Sequence, residues 1–300
     1  MKKQFLILTA VLTASSLCFA KLKVVTTTQD LASIAKYIGG DRIEVDFIAK
    51  GYQDPHFVDA KPSYLLKLRE ADLLIAVGLE LEVGWLPTLV KDCRNGKIIS
   101  GKGYLDASAG VEVIERPTGQ RTRAEGDVHP FGNPHYWLNP ENGKIIAQNI
   151  SDRLSQIDPA NAWFYAKNLE EFNRQLENKL KTRQRLMEPH KGTKIITYHR
   201  TWGYFSDHFG LTVVDQIEPK PGIPPTPSHT LDVIRKIKEL KIKVIIVEPL
   251  YDLKTPQSIA QKSGAKLLVL PTSVGGVPEA TDYFQLFDYN LKMLLQNLQN

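Results

Sequence analysis

Short apolar runs rich in β-branched residues alternate with segments of helical periodicity through the first half of the chain. Such runs are typical of buried strands, whereas apolar residues at steps of three and four are typical of helices. The predicted strands cover residues 22–28, 43–48, 72–77, 97–100 and 111–114, and the predicted helices cover residues 31–37, 62–69 and 86–91. Alternating strands and helices predict right-handed βαβ units and a parallel sheet.

The second half of the chain repeats this alternation. Its predicted strands cover residues 194–198, 211–217, 244–247 and 266–270, and its predicted helices cover residues 202–208, 231–240, 255–262 and 282–298. The repetition predicts an α/β protein built from two domains of the same construction.

The strongest helical pattern of the chain lies between the two halves. Asp158 is a favourable N-cap, Pro159 suits the first helical position, and Pro189 ends the pattern. One apolar face is formed by Tyr165, Leu169, Phe172, Leu176 and Leu180. Roughly 30 helical residues span about 45 Å, so we interpret residues 158–189 as a rigid connection between the halves. A surface helix that belongs to one domain is the alternative.

The N-terminus has the pattern of a secretory signal. Lys2 and Lys3 precede an apolar run at residues 5–12, and small residues follow before Lys21. The run is too short to span a bilayer, which takes ~20 residues. We therefore expect cleavage before Lys21 and a periplasmic protein; an uncleaved anchor is the alternative. Cys18 follows Ser-Ser-Leu, which disfavours a lipid anchor. The predicted organisation is a signal at 1–20, an N-terminal βα domain at 21–157, a linking helix at 158–189 and a C-terminal βα domain at 190–300.

Composition narrows the class of protein further. Loss of the signal lowers the formal charge of +5 by two, and no block of Lys and Arg is interleaved with aromatic residues. This balance does not indicate a nucleic-acid partner. Cys93 is the single cysteine left after the signal, so the mature chain has no internal disulfide and its stability must come from core burial.

Three histidines each lie in a loop that follows a predicted strand: His56, His135 and His199. Ligands of open α/β sheets bind outside the carboxyl ends of the strands. Imidazole suits zinc, copper, nickel and iron, whereas carboxylate and water suit manganese and magnesium better. Three histidines with one oxygen donor would make a tetrahedral zinc site. An irregular loop at residues 115–134 leads into His135 and contains His129, for which a loop contact to the metal and a solvated side chain are both open.

Several longer motifs carry a family resemblance. They are Val-Val-Thr-Thr-Thr at 24–28, Pro-His-Phe-Val-Asp-Ala-Lys-Pro-Ser-Tyr at 55–64, Ala-Asp-Leu-Leu-Ile-Ala-Val-Gly-Leu-Glu-Leu-Glu at 71–82, Asn-Pro-His-Tyr-Trp-Leu-Asn-Pro at 133–140, Tyr-His-Arg-Thr-Trp-Gly-Tyr-Phe at 198–205 and Val-Ile-Ile-Val-Glu-Pro at 244–249. Over essentially the whole mature chain, the sequence resembles the metal-binding proteins of zinc and manganese ABC importers. The resemblance implies two βα sandwich domains with parallel four-stranded sheets, bridged by one long rigid helix, with the metal between them.

The resemblance also assigns roles to single residues. His56 and His135 match ligand positions, and His199 matches a position that is histidine in zinc-type members and glutamate in several manganese-type ones. The family's fourth ligand is usually an aspartate after the last strand, where this chain has Pro271. The fourth donor would then be water, Glu248 or Asp282. We prefer Glu248 as the acceptor of a ligand histidine's second ring N–H, and Asp282 as the cap of the last helix.

These features predict a periplasmic carrier. We expect a monomeric solute-binding protein, not an enzyme, that takes Zn²⁺ as cargo and delivers it to the membrane permease of an ABC importer. A manganese or iron carrier of the same family is the near alternative. A zinc hydrolase, with the same histidines and an open water position, is the alternative from another class.

Overall fold

Two parallel four-stranded sheets form the framework of the molecule. A computed structural model describes residues 21–117, 129–220 and 222–298, so the predicted signal at 1–20 lies outside the described residues. The first sheet has the order β2-β1-β3-β4 and the second the order β6-β5-β7-β8. The strands are β1 (Leu22–Thr26), β2 (Ile43–Phe47), β3 (Leu73–Ala76), β4 (Tyr104–Asp106), β5 (Lys194–Thr197), β6 (Thr212–Gln216), β7 (Val244–Val247) and β8 (Lys266–Val269). The predicted α/β fold is confirmed.

Helices cover the sheets and connect them. They are α1 (Gln29–Gly39), α2 (Pro62–Glu70), α3 (Leu86–Asp92), α4 (Gly96–Ile99), α5 (Pro140–Ile157), α6 (Ala162–Met187), α7 (Gly203–Phe209), α8 (Pro227–Glu239), α9 (Lys254–Ser263) and α10 (Tyr283–Leu298). Among the described helices, none is long and apolar enough to cross a bilayer.

Two predicted strands of the first half are wrong. Residues 97–100 fall in and just after the short helix α4, because the Asn95 side chain accepts the amide N–H of Lys97 and donates to the carbonyls of Leu68 and Ala71. These bonds form a capped turn that an apolar run alone does not reveal. Residues 111–114 have no regular structure. The fourth strand is Tyr104–Asp106, which pairs with β3.

Helix α5 was not among the predicted elements, although the sequence contains signals for it. The Asn139 side chain caps the helix by accepting the Glu141 N–H, and Pro140 takes the first helical position. Its buried residues include Ile146, Ile150 and Leu154 at steps of four. This helix packs against α1 and α6, and it carries the chain from the site to the linking helix.

The linking helix α6 begins later than expected. Residues Pro159–Asn161 form a 3₁₀ turn, and the Asp158 carboxylate accepts bonds from the side chains of Asn161 and Tyr165 at 2.7 Å each. The 26 residues of α6 span about 39 Å. The helix packs against α1, α5 and α10, so it contacts elements of both halves. The exact domain boundaries stay a prediction.

The two halves are tied together close to the sheet edges. One apolar cluster includes Val24 of the first sheet, Ile246 of the second and Phe172 of α6. The Trp137 indole N–H donates to the Thr272 carbonyl at 2.8 Å, across the halves. The Asp30 carboxylate accepts the backbone N–H of Val274 at 2.9 Å. The loop after β8 is therefore held against the first half.

Candidate metal centre

The three predicted histidines meet at one place. His56 follows β2, His135 precedes a 3₁₀ turn before α5, and His199 follows β5. One nitrogen of each ring lies within 4.8 Å of a nitrogen of the others. The ring centroids of His56 and His135 are 5.1 Å apart, and each is 5.7 Å from that of His199. The structure thus brings the three together, while their role as ligands stays a prediction.

Two of the rings are held by carboxylates. The Nδ1 of His56 lies 2.7 Å from Asp54 Oδ1, and the Nδ1 of His199 lies 2.5 Å from Glu218 Oε2. A carboxylate only accepts, so each Nδ1 carries the proton and each Nε2 keeps its lone pair for a ligand. The second carboxylate oxygen of Glu218 accepts the backbone N–H of Gly222 at 2.9 Å, which fixes that carboxylate in turn.

The third ring is held by a neutral amide in a matching local turn. The Asn133 side-chain oxygen accepts both the backbone N–H and the Nδ1–H of His135, each at 2.9 Å. Asp54 makes the same pair of bonds to His56, at 2.9 and 2.7 Å. In both places a proline separates acceptor and histidine, giving Asp-Pro-His and Asn-Pro-His. This short repeat is a sequence signal for both rings, because such side chains bond the backbone two residues on.

The rings differ in how readily they accept a proton. Burial lowers the pKa of His135 well below its ordinary value, and the neighbouring histidines lower it further. Burial also acts to lower the pKa of His199, but the bond to Glu218 and the nearby Glu248 and Asp54 outweigh it, so this pKa is raised. His135 is therefore held neutral, whereas His199 retains a proton more readily than an ordinary histidine.

The acceptor behind His199 is a residue that the sequence analysis did not single out. We expected Glu248 to accept a second ring N–H, but the described contact of His199 is to Glu218. Glu248 is 1% exposed and lies beside the Thr201 side chain. Burial raises the pKa of the Glu248 carboxyl, an effect that the nearby His199 opposes.

The remaining predicted positions lie around this centre. Asp282 Oδ1 accepts the backbone N–H groups of Phe284 and Gln285 at 2.8 Å each, which caps α10 as we preferred. The Pro271 carbonyl accepts a bond from the Asn290 side chain. His129 lies beside His56, with 3.1 Å between their Nε2 atoms.

The nitrogen donors favour a divalent ion of intermediate hardness, such as zinc. Three imidazole nitrogens point to one centre, with carboxylates behind two of the rings. Neutral imidazoles bind zinc and its neighbours well, and acceptors on the far ring nitrogen orient the rings and raise their basicity.

The chain as a whole matches a family of known proteins. The family model of ZnuA, described as zinc-uptake complex component A, periplasmic, matches residues 24–297. The manganese ABC transporter substrate-binding lipoprotein PsaA of Streptococcus pneumoniae is 32% identical, covering 95% of this chain and 92% of that protein. The metal ABC transporter substrate-binding lipoprotein FimA of Streptococcus parasanguinis is also 32% identical with the same coverage.

Solved structures agree at the level of the fold. A crystal structure of ZnuA superposes with a TM-score of 0.77 at 23% identity, covering 93% of this chain and 99% of that one. With the match to the family model over nearly the whole chain, the chain belongs to the ZnuA-like family of metal-binding, solute-binding proteins of ABC transporters.

Proposed function

We propose that this protein captures zinc in the periplasm through His56, His135 and His199 and delivers it to the membrane permease of an ABC importer. The observation that carries the proposal is the convergence of three imidazoles whose Nδ1 atoms each face an acceptor. That arrangement leaves all three Nε2 atoms available to one ion. The signal pattern at residues 1–20 supports export, and we expect the carrier to act as a monomer.

Zinc is favoured over manganese by the ligand type. Nitrogen donors suit zinc, whereas manganese prefers carboxylates and water, and no carboxylate belongs to the group of converging ligand atoms in the described residues. Glu218 lies behind His199 and supplies a buried carboxylate that balances part of a divalent charge.

Manganese is the second candidate, because curated relatives such as PsaA are named as manganese-binding components. The family consists of solute-binding proteins rather than enzymes, so the zinc hydrolase alternative does not apply.

Delivery should involve small movements. Helices α6 and α10 pack on both halves, and the loop after β8 is bonded to the first half through Asp30 and Trp137. We therefore expect the same radius of gyration by small-angle scattering with and without zinc. A wide closure on adding zinc would contradict this part of the proposal.

Direct competition tests the choice of metal. Mature protein stripped of metal is titrated with zinc in the presence of excess manganese, and bound metal is counted by elemental analysis. We expect one zinc per chain and little manganese. His199→Glu should shift the preference toward manganese, because it replaces an imidazole by a carboxylate. His190→Ala, in the 3₁₀ turn after α6, serves as the control. Preferential manganese binding by the unaltered protein would overturn the zinc assignment.

A further inference from the structure

Three histidines leave one position of a tetrahedral zinc ion unfilled. The place after β8 is occupied by Pro271, whose side chain has no donor atom, and whose carbonyl already accepts a bond from Asn290. Asp282 is engaged at the start of α10. Among the described residues, no aspartate or glutamate belongs to the group of converging ligand atoms. The fourth donor must therefore be a solvent molecule or a side chain from another segment.

His129 lies beside this centre and contacts His56, but its ring is not yet within ligand distance of all three histidines, so it would have to move toward them to bind the same ion. Its Nε2 lies 3.1 Å from the Nε2 of His56, and the two ring centroids are 5.0 Å apart. Its centroid is 6.5 Å from that of His135. Two nitrogens bound to one tetrahedral zinc at 2.0–2.1 Å lie about 3.3–3.4 Å apart. The spacing of His129 and His56 is thus close to one edge of a zinc tetrahedron.

The protonation of this pair follows from Asp54. Asp54 accepts the Nδ1–H of His56, so His56 Nε2 has a lone pair, and in the metal-free protein His129 Nε2 donates to it. When an ion binds, the neutral His129 ring must change tautomer, so that its proton moves from Nε2 to Nδ1. Both Nε2 lone pairs then face the ion.

The backbone beside His129 is fixed by its contacts. Gly132 N–H donates to the His129 carbonyl at 3.2 Å, and Asn133 N–H donates to the Ile114 carbonyl at 3.0 Å. Gly132 has φ +109, and a Cβ there would lie 2.5 Å from a Val113 side-chain carbon, so this turn requires glycine. The turn runs directly into Asn133-Pro134-His135. The position of His129 is therefore coupled to that of a proposed ligand.

We propose that His129 is the fourth zinc donor and takes the place of the aspartate that Pro271 replaces. The inference rests on the proposed function. It makes the site all-nitrogen, which raises its preference for zinc over manganese beyond that of three histidines and an oxygen. A three-histidine site completed by solvent would lack this fourth imidazole.

X-ray absorption at the zinc edge, combined with zinc and manganese titrations, tests the inference on the mature protein. In the unaltered protein we expect scattering from four imidazoles, and in His129→Ala from three, with zinc affinity lowered at least tenfold and manganese affinity unchanged. His190→Ala should match the unaltered protein. His129→Gln is a second variant that keeps a polar side chain of similar length, and it should behave as His129→Ala.

The outcomes separate this inference from the proposed function. Three imidazoles in the unaltered protein, with the same spectrum and affinity in His129→Ala, would overturn the role of His129 and leave the three-histidine carrier standing. Failure of the unaltered protein to bind zinc stoichiometrically would overturn both. The melting temperature of each metal-free variant, compared with that of the unaltered protein, shows whether the fold is preserved.

Discussion

The two sheets end in the same backbone arrangement but present different side chains there. At the end of β1, the Thr26 hydroxyl donates to the Thr28 carbonyl at 2.7 Å; at the end of β5, the Thr197 hydroxyl donates to the His199 carbonyl at 2.9 Å. Thr28 and His199 therefore occupy equivalent positions. One half has a short hydroxyl where the other has a proposed metal ligand.

The neighbouring strand shows the same contrast. Ala49 N–H donates to the Thr27 carbonyl at 2.9 Å, and Glu218 N–H donates to the Tyr198 carbonyl at 3.0 Å. Ala49 and Glu218 are therefore equivalent, and the methyl group of one half stands where the other half has the acceptor for His199. The histidine and its carboxylate thus form a unit that the second sheet has and the first lacks.

The histidines of the first half do not lie directly after a central strand of the sheet. His56 and His135 lie in longer connections, each oriented by an acceptor two residues before it. Equivalent frameworks therefore do not require equivalent chemistry. A ligand can be placed at the sheet edge directly after a central strand, as His199 is after β5. It can also be placed there by a turn with the sequence Asp-Pro-His or Asn-Pro-His.

The largest expected difference in zinc affinity is between variants of the equivalent residues His199 and Thr28. His199→Ala should lower zinc affinity by more than about 100-fold, because it removes a proposed ligand nitrogen. Loss of a residue that only hydrogen-bonds to a ligand costs up to about 100-fold. Thr28→Ala should leave zinc affinity unchanged. Isothermal titration of both variants measures the contrast, and equal affinities would show that the second sheet contributes no ligand at this position.

A smaller loss of zinc affinity is expected when Glu218, which accepts a hydrogen bond from the His199 ring, is changed. Glu218→Gln keeps an oxygen acceptor for His199 Nδ1 but removes the charge, so zinc affinity should fall by about 10- to 100-fold. Ala49→Ser, at the equivalent position of the first sheet, is the matched control and should have no effect. An unchanged affinity in Glu218→Gln would mean that the carboxylate does not tune the ligand.

The smallest expected effect is a pH dependence of stability that comes from Asp30, which accepts a hydrogen bond from Val274 of the other half. Burial raises the pKa of Asp30 to about 7, against the opposing bond from Val274. Because the folded pKa lies above the unfolded value of about 3.9, folding favours the neutral carboxyl, and the free energy of unfolding falls as pH rises from about 4 through 7. Asp30→Asn removes this dependence.

Melting curves of the metal-free protein between pH 5 and 8 measure this pH dependence of stability. The stability of Asp30→Asn relative to the unaltered protein should improve as pH rises. Ser33→Ala is the control, because the Ser33 hydroxyl oxygen accepts the backbone N–H of Tyr283 across the halves without a titrating group, and its effect should not change with pH. Parallel pH profiles for Asp30→Asn and the unaltered protein would contradict the raised pKa.

Much of the fold could be predicted because its signals are local. The run Val244–Val247 is a fully buried strand with the predicted limits, and the apolar spacing at residues 282–298 gives α10 as Tyr283–Leu298. Buried parallel strands are continuous apolar runs, and helix faces repeat at steps of three and four. The errors at residues 97–100 and 111–114 arose where a short apolar run had no such context.

The approach of His56 and His199 was also predictable, because ligand positions in parallel sheets gather at the carboxyl ends of strands. The strand predicted before His135 is wrong, so the position of this histidine depends on its own turn and on packing. The sequence by itself thus determined the α/β class, the repeated halves and the residues to suspect. Their matching acceptors were in part local as well, since Asp54 and Asn133 precede their histidines by two residues.

Only the tertiary structure decided which acid stands behind His199. Glu218 is 19 residues away along the chain, and its position depends on how β6 pairs with β5. That pairing shifts register between Ile195 and Ile196, so that Ile195 faces Val213 but Ile196 faces Asp215. A shift of one residue exchanges the two faces of a strand, and nothing in the sequence alone fixes where it occurs. The approach of His129 to His56, 73 residues apart, was decided in the same way, by packing between segments rather than by the pattern within either.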